Sequence, residues 1–187
     1  MNRRMIAFIA FAILNSGCKN QPAEQSKDNA SGWDEVLTEQ IGLLGHRNWV
    51  VVADAAYPLQ SHPAIQTVRS DDDHLTTVRK TYELIASQPH VRPVVYTDLE
   101  SEFLTDEQVP GISDYKTSLE EIFGEAKTNR ELHEEIIAQL DEAAGLYNVL
   151  IIKTGYTLPY TTVFFQLDCA YWGPDEEAAL RDRMDGK

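Results

Sequence analysis

Two side chains near the start of the chain have the types and spacing that proton transfer requires. His46 precedes the apolar run of residues 49–53, and Asp54 follows that run directly. The run predicts a buried strand, and ligands of open α/β sheets collect outside the carboxyl ends of strands. An imidazole and a carboxylate together suit general acid–base catalysis, because the pKa of histidine lies close to neutral pH.

Each of these residues also has an ordinary structural interpretation. Asp54 caps a turn if its carboxylate accepts backbone N–H groups. His46 follows Gly45 at the end of a predicted helix, where a histidine is commonly a surface or capping residue. Tyr160 opens the last predicted strand, where its phenol could exchange a proton or its ring could pack against the sheet. The residues alone leave these alternatives open.

Strand and helix patterns alternate along the chain and must position these side chains. Helical spacing predicts helices at residues 33–44, 74–86, 115–123 and 130–144, with a short exposed helix at 175–187. Apolar and β-branched runs predict strands at residues 49–53, 93–97, 147–153 and 161–169. The alternation predicts an α/β domain with a central sheet flanked by helices and some parallel pairing. The last two strands are close in sequence, which predicts an antiparallel hairpin or a bend.

The composition excludes several classes of function. The 187 residues include 30 acidic and 16 basic side chains, a formal net charge of −14, which argues against a nucleic-acid partner. The sequence contains no nucleotide-binding glycine-rich loop, no Gly-x-Ser-x-Gly elbow and no Cys-x-x-Cys pair. Three aspartates at residues 71–73 precede His74, a pattern more typical of a solvated helix N-terminus than of a metal site.

The N-terminal segment is interpreted as a targeting signal. Arg3 and Arg4 precede ten uncharged, largely apolar residues, 5–14, and a small-polar stretch then ends at Cys18. Ten residues are about half of what a membrane-spanning helix needs, so the run indicates a signal peptide. Its order resembles a bacterial lipoprotein signal. That resemblance implies that residues 1–17 are removed, that Cys18 is lipidated, and that the protein is anchored in the cell envelope.

The remaining chain divides into two parts. Residues 18–32 are polar and lack periodicity, which predicts a flexible tether. Residues 33–187 carry the predicted helices and strands and form the predicted domain.

Four short motifs resemble the D-ribose pyranase / L-fucose mutarotase family (RbsD/FucU). In chain order they are Leu44-Gly45-His46, Val-Val-Val-Ala-Asp54-Ala-x-Tyr57-Pro58, Thr154-Gly155 and Pro159-Tyr160-x-Thr162. Their order and approximate spacing match over residues 36–168. The resemblance implies a single compact α/β domain of that family, with the central sheet between helices. It also implies assembly into rings of identical subunits, with the sites at subunit boundaries.

The resemblance implies roles for five residues. His46 matches the catalytic histidine, and Asp54 matches the aspartate that holds the sugar or the histidine. Tyr160 matches a substrate-binding tyrosine. Thr162 stands where the family has an asparagine, so it keeps a hydroxyl but lacks the amide donors. His133 is the nearest candidate for a histidine or arginine that the family places ahead of its late strand, five residues from the matching position.

The function implied by the resemblance is that of an isomerase. A monosaccharide mutarotase or pyranase would interconvert sugar anomers or ring forms by general acid–base catalysis, without a metal or another cofactor. Its partners would be a monosaccharide, further copies of the chain and, through the lipid anchor only, a membrane. The alternative is a non-catalytic carbohydrate-binding or structural lipoprotein on the same scaffold, which the departures at Thr162 and near Ala138 favour.

Overall fold

The computed structural model of the chain describes residues 32–186, which form five α-helices, one 3-10 helix and six strands. The α-helices are α1 Trp33–Ile41, α2 His74–Ala86, α3 Ile112–Phe123, α4 His133–Ala144 and α5 Pro174–Met184, and the 3-10 helix is Leu99–Phe103. The strands are β1 Trp49–Ala53, β2 Ile65–Arg69, β3 Val91–Asp98, β4 Thr128–Glu131, β5 Val149–Lys153 and β6 Val163–Cys169. The predicted signal peptide, Cys18 and almost all of the predicted tether lie outside the described residues.

All six strands join one mixed sheet in the order β2-β5-β1-β6-β3-β4. β1 pairs in parallel with β5, β5 with β2, and β3 with β4. β6 runs antiparallel to both of its neighbours, β1 and β3. The five parallel strands therefore end at one edge of the sheet, here called the carboxyl edge, and β6 begins there.

Apolar side chains alternate along β1 and supply a core on each face of the sheet. Val50 and Val52 pack on one face with buried residues of α1, α2 and α3. Trp49, Val51 and Ala53 pack on the other face with buried residues of α4. Successive side chains of a strand point to opposite faces, so a strand that is apolar throughout belongs between two helical layers. The predicted α/β fold with a central sheet between helices is confirmed.

Two edge strands were not predicted from the sequence. β2 (Ile-Gln-Thr-Val-Arg) and β4 (Thr-Asn-Arg-Glu) carry polar residues and are largely half-buried or exposed. Each pairs on one side only, so neither needs the apolar pattern of a central strand. The helix predicted from residue 130 consequently starts later, at His133, because residues 128–131 belong to β4.

Of the two alternatives predicted for the last two strands, an antiparallel hairpin or a bend, the hairpin is wrong. β1 lies between β5 and β6, and each of them pairs with it along most of its length. The turn between β5 and β6 therefore crosses over the end of β1 at the carboxyl edge.

In the described part of the chain, no helix has the length and hydropathy needed to cross a membrane.

Candidate active site

The topology brings four of the five sequence-predicted site residues to the carboxyl edge. Asp54 follows β1, and His133 is the first residue of α4, just after β4. Tyr160 and Thr162 lie in the segment that leads into β6. A fifth polar residue, Asp98, is the last residue of β3. Four different connections thus deliver these five side chains to one edge, as expected for a ligand site in an α/β sheet.

A buried carboxylate holds the ring of His133. The Nδ1 atom of His133 lies 3.0 Å from Oδ1 of Asp98. Asp98 is 1% exposed, whereas 34% of the His133 side chain is exposed. The backbone N–H of His133 donates to the carboxylate of Glu100, at 3.1 Å to each oxygen. Since a carboxylate accepts from Nδ1–H, the partly exposed ring keeps Nε2 for a ligand.

This arrangement shifts both pKa values upward. The hydrogen bond from its ring to Asp98 raises the pKa of His133, and the nearby charges of Asp98, Glu100 and Asp54 act in the same direction. Burial raises the pKa of Asp98, and the hydrogen bond from His133 offsets this only in part. A raised histidine pKa places both protonation states within reach near neutral pH, as a group that gives and takes a proton requires.

Asp54 caps a turn, as its structural interpretation predicted, and it also contacts Thr162. Its Oδ1 accepts the backbone N–H groups of Ala56 at 2.7 Å and Tyr57 at 3.0 Å, which caps the turn after β1. Its Oδ2 accepts the hydroxyl of Thr162 at 3.3 Å. The turn therefore orients Asp54 and ties it to the residue that precedes β6.

Tyr160 occupies a strained backbone conformation. Its φ of 57° lies in the left-handed region, which non-glycine residues rarely adopt. The residue is 40% exposed, and the centroid of its ring lies 6.1 Å from that of His133 in an edge-on arrangement. Strain of this kind persists where the surrounding structure fixes the backbone, and it is concentrated at functional sites.

A hydrogen bond from His74 holds the backbone next to Tyr160. Its Nε2 lies 2.8 Å from the carbonyl oxygen of Thr161, and its Nδ1 lies 2.9 Å from the hydroxyl of Thr154. A carbonyl can only accept, so Nε2 carries the proton. The single proton of the Thr154 hydroxyl lies within reach of both Nδ1 of His74 and the carbonyl oxygen of Ala53, at 3.0 Å. The hydroxyl of Tyr115 donates to the same carbonyl at 2.7 Å, and the ring of Tyr156 stacks on His74 with centroids 5.0 Å apart.

The helix N-terminus predicted at residues 71–74 is confirmed, but its His74 is buried rather than solvated. It is 2% exposed, and burial lowers its pKa to about 4 against smaller opposing contributions from the Thr161 hydrogen bond and from Asp54 and Asp73. The ring is therefore neutral at physiological pH and acts as a fixed hydrogen-bonding group. Asp73 does cap α2, since its Oδ1 accepts the N–H of Thr76 at 2.9 Å.

His46 lies at the opposite edge of the sheet. It precedes β1, whereas Asp54 follows β1, so the length of that strand separates them. His46 is exposed and lines a cavity of about 690 Å³ with Arg92, Asp168 and Trp172. Asp54 therefore does not orient His46 within one chain.

The sequence did not indicate that three residues belong to this region: Asp98, His74 and Tyr115. Asp98 carried a usable signal, because it follows a predicted strand as Asp54 does. No sequence pattern linked His74 or Tyr115 to Thr161. His74 begins an amphipathic helix and Tyr115 lies within another, and each contacts Thr161 only in the folded chain. Among the described residues, no cluster of three or more His, Cys, Asp or Glu side chains could hold a metal ion.

Comparisons with known proteins agree with this fold. No protein-family model matches the chain, and no curated protein sequence matches it. Among solved structures, RbsD of Bacillus subtilis, in complex with D-ribose, matches with a TM-score of 0.50 and 20% identity over 70% of this chain and 89% of that chain. The fold is similar to that of RbsD.

Two further structures show weaker similarity. FucU from Bifidobacterium longum has a TM-score of 0.45 and 18% identity over 70% of this chain and 91% of that chain. The fucose mutarotase from Streptococcus pneumoniae, in complex with L-fucose, has a TM-score of 0.42 and 18% identity over 68% of this chain and 87% of that chain. At such identities the similarity concerns the fold.

Proposed function

We propose that the chain interconverts the anomers or ring forms of a reducing monosaccharide at the carboxyl edge of its sheet. The observation that carries the proposal is the partly exposed ring of His133, whose Nδ1 lies 3.0 Å from the buried carboxylate of Asp98. A ring of that kind, beside Tyr160 and with a raised pKa, can exchange protons with a bound ligand through Nε2.

The reaction needs only proton transfers. Removal of the proton from the anomeric hydroxyl and protonation of the ring oxygen break the bond between the anomeric carbon and that oxygen, which gives the open aldehyde or ketone. Rotation and reclosure by the reverse transfers give the other anomer, and reclosure from a different hydroxyl gives another ring size. His133 is the proton-transfer group within the subunit, while Asp54, Tyr160 and Thr162 bind sugar hydroxyls.

His46 can take part in the same site as His133 only if a second copy of the chain supplies it. His46 lies at the far end of β1 from Asp54, so it can face this site only from a neighbouring subunit. We therefore propose a homo-oligomer in which the edge that carries His46 meets the carboxyl edge of the next copy. The cavity of about 690 Å³ that His46 lines leaves room for such a contact. Two histidines on opposite sides of a sugar could divide the roles of acid and base.

The shared site can be tested by mixing two inactive variants. His46→Ala and His133→Ala should each lose activity, and light scattering on the unmodified chain should report several subunits. If the variants are unfolded together and refolded, about a quarter of the sites in a random mixture should contain both histidines. Recovered activity of that order supports the shared site, and a monomer or no recovery contradicts it.

Saturation-transfer NMR on the purified chain tests sugar binding itself. The panel begins with D-ribose and L-fucose, the sugars bound in two of the similar structures, and continues with galactose and glucose. We expect at least one sugar to receive saturation from the protein and to lose it in Tyr160→Ala. Absence of transfer to every sugar would contradict the proposal. Binding without acceleration of anomer exchange would instead favour the non-catalytic carbohydrate-binding alternative, for which Thr162 in place of asparagine is the supporting observation.

A further inference from the structure

We propose that Asp98 is a sugar-binding residue of this site, with Oδ1 holding the ring of His133 and Oδ2 accepting a hydroxyl of the bound sugar. The inference rests on the proposed function, because it assigns a ligand contact to the same site. It adds a residue that neither the motifs nor the resemblance indicated.

The second carboxylate oxygen of Asp98 has no partner in the described part of the chain. Oδ1 lies 3.0 Å from Nδ1 of His133, but Oδ2 is buried without a hydrogen bond. Asp98 as a whole is 1% exposed. A buried polar atom without a partner costs free energy, and more so for a charged group. For the ionised form of Asp98 the missing partner is a donor, since a carboxylate oxygen accepts.

Helix capping does not explain the aspartate. The backbone N–H of His133, at the start of α4, already donates to both oxygens of Glu100. The turn after β3 is held by the backbone of Asp98, whose carbonyl oxygen accepts the hydroxyl of Ser101 at 2.7 Å. Apart from its contact with His133, the side chain of Asp98 therefore neither caps α4 nor holds the turn after β3.

The surroundings of Asp98 suit a polyol. The residue before it, Thr97, pairs with Val163 at the start of β6, and Asp98 itself pairs with Glu131 of β4. Asp98 thus lies between the segment that carries Tyr160 and Thr162 and the helix that begins with His133. A sugar presents several hydroxyl donors in one plane, and a charged acceptor forms stronger hydrogen bonds with them than a neutral one.

Asp98 also sets the tautomer of His133. Because Nδ1–H donates to Asp98, the free-base ring has its lone pair on Nε2, the atom left for the ligand. If Asp98 contacts both the histidine and the sugar, it aligns the proton-transfer atom with the ligand.

A pair of variants separates direct contact from action through the histidine. Asp98→Asn keeps the shape of the side chain but places an amide donor or a neutral oxygen opposite the sugar. The dissociation constants for D-ribose and L-fucose should rise by about ten- to a hundredfold for the sugar that binds. In the His133→Ala background, Asp98→Asn should weaken binding further. No further weakening there, or unchanged affinity in the single variant, would overturn the sugar contact.

A second measurement reads the protonation of His133 directly. Nitrogen-15 NMR of the histidine rings in the unmodified chain, assigned with His133→Ala, should show His133 protonated at Nδ1 above its pKa, and Asp98→Asn should lower that pKa. A ring protonated at Nε2 would overturn the assignment. Asp106→Asn is the matched control, since Asp106 is an exposed carboxylate that binds only Gly111 and Ser113 among the described residues; it should leave affinity and pKa unchanged.

The outcomes distinguish this inference from the function on which it rests. If the unmodified chain binds none of the panel sugars, the proposed function fails and the sugar contact fails with it. If the unmodified chain binds a sugar and Asp98→Asn binds it equally well, only the inference about Asp98 fails.

Discussion

The Nε2 atom of His74 lies 2.8 Å from the carbonyl oxygen of Thr161, 87 residues further along the chain. This contact joins the start of α2 to the segment that carries Tyr160 and Thr162. Tyr115 donates to the same oxygen from α3. Two buried donors thus fix one carbonyl between two proposed sugar-binding residues, and they account for the persistence of the strained backbone at Tyr160.

Loss of one of these donors should destabilise the domain. Tyr115→Phe removes a hydroxyl that donates at 2.7 Å to Thr161, so the free energy of unfolding should fall by about 1 kcal/mol. Tyr57→Phe is the matched control, because the buried hydroxyl of Tyr57 has no partner among the described residues. Its removal should leave stability unchanged or increase it. Urea denaturation of both variants measures the difference, and equal losses would contradict the role assigned to Thr161.

The buried His74 should make stability depend on acid pH. The ordinary histidine pKa of 6.5 applies to the unfolded chain, whereas burial lowers the folded value to about 4. Between these values the unfolded chain binds the extra proton. The contribution of His74 to stability is therefore complete above pH 6.5 and is lost as pH falls towards 4. The slope reaches at most about 1.4 kcal/mol per pH unit.

Urea denaturation at several pH values from 7 to 4.5 tests this dependence. His74→Gln should be less stable than the unmodified chain at pH 7, because it loses packing and hydrogen bonds. Its stability should nevertheless decline less steeply between pH 6.5 and 4.5. Parallel curves for the two proteins would show that His74 is not held neutral by burial.

Relief of the strain at Tyr160 should increase stability and reduce sugar binding. Glycine adopts a φ of 57° without steric cost, so Tyr160→Gly should raise the free energy of unfolding by roughly 0.5–1 kcal/mol. Tyr160→Phe keeps both the ring and the strain, and it separates the contribution of the hydroxyl to binding. Thermal melts and sugar titrations provide the two readouts. A destabilised Tyr160→Gly protein would mean that packing of the ring outweighs the strain.

We propose that Cys18 anchors the protein to a membrane, as the order of basic, apolar and small residues before it suggests. Cys18→Ala should move the protein from the membrane fraction of its native host to the soluble fraction. Cys169→Ala is the control, because Cys169 is the second cysteine of the chain and lies at the end of β6. If Cys18→Ala fractionates as the unmodified chain does, the lipid anchor is excluded.

The sequence predicted the parts of the fold that depend on strong local patterns. The helix at residues 74–86 was predicted with its observed bounds, and β1 and the placement of Asp54 at its carboxyl end followed from one apolar run. β2 and β4 were missed because edge strands pair on one side and tolerate polar residues. The order of the strands could not be predicted either, because the short turn between β5 and β6 does not indicate that β1 lies between them.

The site was predicted less completely for a related reason. Asp54, Tyr160 and Thr162 were selected by motif and His133 as the nearest histidine to a family position, and the topology brings them to one edge. The separation of His46 from Asp54 follows from the direction of β1, which the motif spacing does not reveal. The position of Asp98 after a predicted strand was a signal that went unused. The role of His74 depends on a long-range contact with Thr161, which no local pattern encodes.

The rate of exchange between the α and β anomers of a reducing sugar tests the central claim most directly. Exchange NMR would measure it for D-ribose, L-fucose, galactose and glucose with the unmodified chain, with His133→Ala and in buffer alone. The unmodified chain should accelerate exchange of at least one sugar, and His133→Ala should lose about 10²–10⁴-fold of that acceleration while remaining folded. No acceleration of any sugar by the unmodified chain, or equal acceleration by His133→Ala, would contradict the account.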